Sequence, residues 1–120
     1  MPANPDAERR LPLTPLAFHV LIALGAEDRH GYGIIKDIEA RTDGALSLRS
    51  GTLYTALQRL LEAGWIEDAP APASAAVDAR RRYYRITSLG RAVATAESER
   101  LARLVTDACA RQLAPGKSGG

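Results

Sequence analysis

The chain of 120 residues has little of what most reactions need: one cysteine, two histidines and one tryptophan. A lone Cys109 cannot close an internal disulfide and reads as a small hydrophobe near the end of a helix. His19 falls inside an apolar helical stretch, where packing is its expected role, and His30 falls in a turn. There is no zinc-ligand spacing, no nucleophile elbow, and no glycine-rich loop followed by Lys-Ser/Thr. No enzymatic chemistry, metal or cofactor is therefore expected. Long apolar runs are missing too. The longest, Leu16 to Leu24, contains His19 and stops at Gly25, well short of the roughly 20 residues that a helical membrane span needs. Met1 to Arg10 shows no charged-then-apolar export signal, so the expectation is a cytoplasmic protein with no membrane role.

A large excess of charge is also absent, since Lys plus Arg exceed Asp plus Glu by only 16 to 14. Distribution says more than the total. Arg80, Arg81, Arg82, Arg85 and Arg91 are interrupted by no acid, which makes a local basic patch. With 46% hydrophobic and 25% charged residues, the chain has the make-up of one ordinary globular core with one extended element.

Read along its length, Met1 to Arg10 is a polar leader without fold of its own, and order begins near Leu11. Thr14 before Pro15 is a strong helix start, because the hydroxyl can accept from an orphan N–H and proline suits the first helical position. That helix runs to about Ala26 and is apolar nearly all round, as a core helix is. After a polar turn from Glu27 to Gly31, Ile34, Ile35 and Ile38 recur at helical spacing in a second helix that ends near Thr42. A third should start at about Ser50, with its hydroxyl as N-cap. Leu53, Leu57, Leu60 and Leu61 share one face of this third helix, which leaves Thr52, Thr55, Gln58, Arg59 and Glu62 on the other.

Gly64 stops the third helix, and Trp65 to Glu67 reads as a short strand. An Ala/Pro-rich loop follows, then a strand over Arg82 to Ile86, with Tyr84 and Ile86 expected inward and Tyr83, Arg85 and Thr87 outward. From Thr87 to about Leu113 the composition is that of one long helix, on the order of 40 Å at 1.5 Å per residue. Its apolar side, with Val93, Leu101, Leu104, Val105 and Ala108, is longer than a three-helix core can cover. The tail from residue 114 is expected to be disordered.

Helix, helix, presented helix, strand, loop, strand, helix is the layout of a winged helix-turn-helix, mainly α with a small β-hairpin, in which the third helix enters the major groove. Five motifs follow one another in this order: Leu13-Thr14-Pro15-Leu16, His30-Gly31-Tyr32-Gly33-Ile34, Gly51-Thr52-Leu53-Tyr54, Leu60-Leu61-Glu62-Ala63-Gly64-Trp65-Ile66, and Arg81 through Gly90. In them the chain resembles the PadR family of transcriptional regulators over Leu11 to about Ala110. The resemblance implies a winged-helix unit over residues 11–87 and a dimerisation helix over residues 88–113. Its function would be that of a repressor binding an inverted-repeat operator as a homodimer.

Double-stranded DNA and a second copy of the chain are thus the expected partners. On DNA, Ser50, Thr52, Tyr54, Thr55, Gln58 and Arg59 are placed to meet phosphates and base edges at the start of the third helix. Arg80, Arg81 and Arg82 would lie along the duplex backbone from the wing. Leu101, Leu104, Val105 and Ala108 are the candidates for the dimer contact, with Leu89 and Val93 on the home domain. One departure from the family pattern is Asp78-Ala79, where similar proteins carry glycine before the basic wing residues, and it predicts a looser wing tip. Some smaller relatives bind flat aromatic drugs through a tryptophan on the last helix. The corresponding position here is Leu101, and Trp65 reads as core. The resemblance leaves room for a small-molecule effector without pointing to its site. The rival reading is a winged helix that binds protein, which would need apolar residues where Thr55, Gln58 and Arg59 stand.

Overall fold

The computed structural model describes residues 10–73 and 80–114. The expected leader up to residue 9, the wing-tip residues Asp78 and Ala79, and the tail from Pro115 lie outside them. The described elements are α1 (Pro15–Ala26), β1 (Arg29–His30), α2 (Gly31–Arg41), α3 (Ser50–Ala63), β2 (Ile66–Ala69), β3 (Tyr83–Ile86) and α4 (Ser88–Ala110). This is a winged helix-turn-helix with a long C-terminal helix.

Three of the helices, α1, α2 and α4, begin where a side chain satisfies an orphan backbone N–H. Thr14 Oγ1 accepts from the Ala17 N–H at 3.1 Å, opening α1 with Pro15 at its first position. His30 does the same for α2, its Nδ1 accepting from the Gly33 N–H at 2.9 Å. Val20, Leu21, Ala23 and Leu24 of α1 meet Ile34 and Ile38 of α2 and Leu53, Leu57 and Leu60 of α3 in a single core. His19 stands half-buried on the side of α1 that faces the end of α2, its ring Nδ1 3.3 Å from Arg41 Nη1 and its carbonyl accepting from Arg41 Nη2 at 3.0 Å.

The sheet has three strands rather than two, in the order β1-β3-β2 and antiparallel throughout. Strand β1 occupies the expected polar turn; two residues are too few to show alternation in a sequence. Its presence corrects the expected facing of Tyr83. Paired with His30 and edge-on to that ring at 5.3 Å between centroids, Tyr83 is buried alongside Tyr84 and Ile86. Arg85 stays outward and pairs with its register partner Glu67 at 2.9 Å.

The hairpin root and the start of α4 are locked by two residues. Thr87 Oγ1 donates to the Gly64 carbonyl at 2.6 Å and accepts from the Gly90 N–H at 3.0 Å. Gly90 passes so close to the strand that a Cβ there would stand 2.0 Å from the Trp65 carbonyl oxygen. Gly64 itself adopts φ +78°, the left-handed conformation that ends α3 and turns the chain into β2.

Helix α4 has 23 residues, about 34 Å at 1.5 Å per residue. Its first half is built into the domain through Gly90, Val93 and Glu97. Glu97 is 2% exposed, and its carboxylate accepts from the Leu13 N–H at 3.1 Å and from Arg100 Nε at 2.6 Å. The Arg100 guanidinium, together with that N–H, holds the Glu97 carboxyl below the usual glutamate range. Past Arg100 no residue of α4 is buried: Leu101 and Ala108 are half-exposed, and Leu104 and Val105 are exposed. Among the described residues no helix is long and apolar enough to cross a membrane.

Candidate nucleic-acid interface

Helix α3 is anchored from beneath by Leu53, Leu57 and Leu60, all buried, and turns Ser50, Thr52, Tyr54, Thr55, Gln58 and Arg59 to solvent. A leucine repeat at i, i+4 and i+7 permits only this orientation. The expected cap is corrected by one position. Arg49 is the N-cap, with extended backbone and no side-chain cap bond, and its carbonyl accepts from the Leu53 N–H at 3.1 Å. Ser50 is thereby the first helical residue. The first N–H groups of α3 have no side-chain acceptor, and the residues carrying them are exposed.

The exposed residues fall into two groups. Thr52, Thr55 and Arg59 form one wall of a cleft of about 640 Å³ whose other wall is Arg10, Leu13, Leu16 and Ala17, with Trp65 also lining it. Tyr54, Gln58 and Glu62 lie around the other flank with Thr55 and Arg59. Thr55 Oγ1 donates back to the Gly51 carbonyl at 3.0 Å, so only its lone pairs remain for an incoming donor. Tyr54 is 53% exposed, yet its phenol oxygen would stand 3.1 Å from a Cβ at Gly31. Glycine at that position lets α3 and the first turn of α2 meet.

The three wing arginines do not form one array. Arg82 grips Asp68 across the hairpin through Nε at 2.5 Å and Nη2 at 3.1 Å, and its guanidinium lies 5.1 Å from the centroid of the Tyr84 ring. That hydrogen-bonded pairing holds the Asp68 carboxyl below the usual aspartate range. Burial pushes the Tyr84 phenol up, keeping it neutral beneath Arg82. Arg82 thus braces the hairpin, with its charge already paired to Asp68. Arg81 instead reaches across to α2, 5.5 Å from the centroid of the Tyr32 ring, while Arg80 is exposed.

Two residues join the surface without having been singled out by sequence. Tyr32, 53% exposed on the first turn of α2, stacks on His30 at 6.4 Å between centroids with an interplanar angle of 15°. Lys36 Nζ lies 5.3 Å from the centroid of the same Tyr32 ring. Hydrogen bonding to Tyr32, and the carboxylate of Glu39 at 3.8 Å, hold the Lys36 ammonium above the usual lysine value. The i, i+4 spacing of Tyr32 and Lys36 was the available signal, because it stacks the two side chains on one helix face. Among the described residues no three His, Cys, Asp or Glu side chains converge to hold a metal ion.

Comparison with known proteins adds to this geometry. Residues 20–96 match the model of the transcriptional regulator PadR-like family. An uncharacterized protein of Lysinibacillus sphaericus is 41% identical over 66 residues, which span 55% of this chain and 59% of that protein. The structure is similar to that of a transcriptional regulator from Clostridium thermocellum, with 30% identity, a TM-score of 0.62, and coverage of 75% of this chain and 85% of that one. A PadR family transcription regulator from Clostridium difficile shares the fold at a TM-score of 0.67 and 23% identity, covering 84% of this chain and all of that one. With the family model spanning more than half of the sequence and the winged-helix fold in common, the chain belongs to the PadR-like family of transcriptional regulators.

Proposed function

We propose that the chain is a sequence-specific DNA-binding repressor that works as a homodimer on an inverted-repeat operator. The observation that carries this reading is the outer face of α3, where Thr52, Tyr54, Thr55, Gln58 and Arg59 offer hydrogen-bonding groups beside an uncapped helix start. Ser50 joins them at the first turn. On this reading α3 lies in the major groove, and Arg80 and Arg81 run along the backbone. Arg82 takes part through its outward nitrogen while staying paired with Asp68. Residues 11–87 form the DNA-binding unit and residues 88–113 the dimerisation helix, with Leu101, Leu104, Val105 and Ala108 at the contact.

Exposure of Leu104 at 52% and Val105 at 57% supports the dimer, because side chains of that size on a helix extending beyond its own core lower their free energy by meeting a second copy. A two-fold dimer expects half-sites about 10 base pairs apart or a multiple of that. The test is titration of a labelled duplex from upstream of the chain's own coding sequence, at two salt concentrations, with light scattering of the free protein. Expected are a dimer and salt-sensitive binding. Arg81→Ala should weaken binding to all sequences and lower the salt slope by about one unit. Thr55→Ala or Tyr54→Ala should instead change sequence preference. A monomer without salt-sensitive attraction to duplexes would overturn the reading in favour of a protein-binding winged helix.

A further inference from the structure

We infer that the cleft between α3 and residues 10–17 is a binding site for an aliphatic monocarboxylate. Its head group pairs with Arg59 and its chain lies along α3, so that ligand and duplex compete for one helix. The competition rests on the DNA-binding reading above; binding of the ligand stands apart from it.

The spacing of the lining residues gives the shape. Thr52, Thr55, Ala56, Arg59, Leu60 and Ala63 are one stripe of α3, at i, i+3, i+4, i+7, i+8 and i+11. The stripe is about 16 Å long at 1.5 Å per residue. Leu13, Leu16 and Ala17 face it across a space of about 640 Å³, within the range of small-molecule sites. An elongated space with aliphatic walls suits an extended hydrocarbon chain better than a compact polar metabolite. The wall opposite α3 is held in place, since the Leu13 N–H donates to Glu97 Oε2 of α4 at 3.1 Å and Thr14 caps α1.

The polar groups of the cleft select the head. Arg10 and Arg59 are its charged residues, and no carboxylate lines it. Trp65, 9% exposed, also lines the cleft, and its indole Nε1 is buried without a hydrogen-bond partner among the described residues. A buried donor left unmet favours an occupant that brings an acceptor to that ring. The complement of such a lining is an acceptor-only head, and a carboxylate meets a guanidinium through two parallel hydrogen bonds. Of the two arginines, Arg59 holds the better position, in the middle of the stripe on a regular helix. Arg59, Thr52 and Thr55 also belong to the exposed face of α3. A carboxylate seated there takes the cation from a phosphate, and its chain fills the space beside the two threonines.

Trp65 is the one tryptophan of the chain, so its fluorescence reports on the cleft without DNA. The full chain and its Arg59→Gln and Ala56→Leu variants are titrated with octanoate, below its micellar range, and with 1-octanol, with acetate as the salt control. A saturable change with octanoate is expected. Arg59→Gln should weaken octanoate about three- to ten-fold, as loss of an exposed charge-assisted hydrogen bond does, and leave 1-octanol unchanged. Ala56→Leu, checked for folding by circular dichroism, should weaken both by filling the stripe; if it misfolds, Arg59→Gln, exposed on α3, decides alone. In a second assay the wild type is titrated with a random-sequence duplex, whose affinity octanoate should lower and equimolar acetate should not. A wild type without a saturable response, or a folded Ala56→Leu that binds octanoate as the wild type does, refutes the site and leaves the role of α3 standing. An Arg59→Gln variant with unchanged octanoate affinity refutes the pairing with that residue. Octanoate that binds without lowering duplex affinity refutes the competition. If the wild type binds no duplex, the DNA-binding reading falls, while the fluorescence still decides the cleft.

Discussion

The two halves of α4 are made of the same kinds of residue and have opposite fates. From Ser88 to Glu97 the helix is pressed into the domain by Gly90, Val93 and Glu97, while from Leu101 to Ala110 its leucine and valine side chains stay half-exposed or exposed. Helical propensity is similar throughout, with Ala, Arg, Glu and Leu dominating. Tertiary contact makes the difference. The contrast teaches that the first half is bound to folding and the second is left open to the proposed association, with Glu97 and Arg100 at the border between them.

The comparison can be broken or sharpened by substitution. The largest effect on folding is expected from Gly90→Ala, because the added methyl meets the Trp65 backbone rather than a flexible side-chain end. A loss of about 3 kcal/mol or more is expected, read from urea unfolding. A tolerated alanine would mean that α4 can lift from the hairpin at little cost. Next comes Glu97→Ala, which strips the Leu13 N–H of its acceptor and leaves Arg100 unpaired. About 1–3 kcal/mol is expected, since hydrogen bonds to a charged group are lost.

The same carboxylate predicts a pH dependence of definite sign. Its folded pKa lies below the usual 4.5, so its contribution is fully present above that value and disappears as pH falls through the lower folded one. Unfolding curves of wild type and Glu97→Gln should therefore converge in acid. Curves that stay parallel from neutral pH to below the glutamate range would show that the charge contributes nothing. The smallest effect on folding belongs to the outer half: Leu104→Ala with Val105→Ala should leave the fold of one protomer within about 0.5 kcal/mol. Light scattering should nonetheless show a shift toward monomer. An unchanged dimer would place the interface elsewhere.

Much of this architecture was legible in the residues. Thr14-Pro15 announces α1, the isoleucines of α2 and leucines of α3 give their buried faces by spacing, and Gly64 marks the end of α3. The exposure of Thr52, Thr55, Gln58, Arg59 and Glu62 on α3 followed from the leucine repeat alone. What escaped were features that depend on contacts distant in sequence. Strand β1 exists because Tyr83 and Tyr84 arrive to pair with it, and Tyr83 is buried for the same reason. Ser50 lost the capping position because the extended cap residue is Arg49 and Ser50 is already helical, a choice of backbone angles that the Ser50 hydroxyl does not control.

The sequence by itself determined which faces are apolar, where helices start and stop, and that basic residues gather before β3, since periodicity and capping are local properties of the chain. Only the tertiary structure decided how those bases are shared out. Arg82 goes to Asp68 and Arg81 to the Tyr32 ring, because strand pairing sets neighbours across dozens of residues. The physical reason is the short range of hydrogen bonds and ring contacts: a side chain's partner is whatever the fold brings within a few ångströms, and sequence distance carries no information about that.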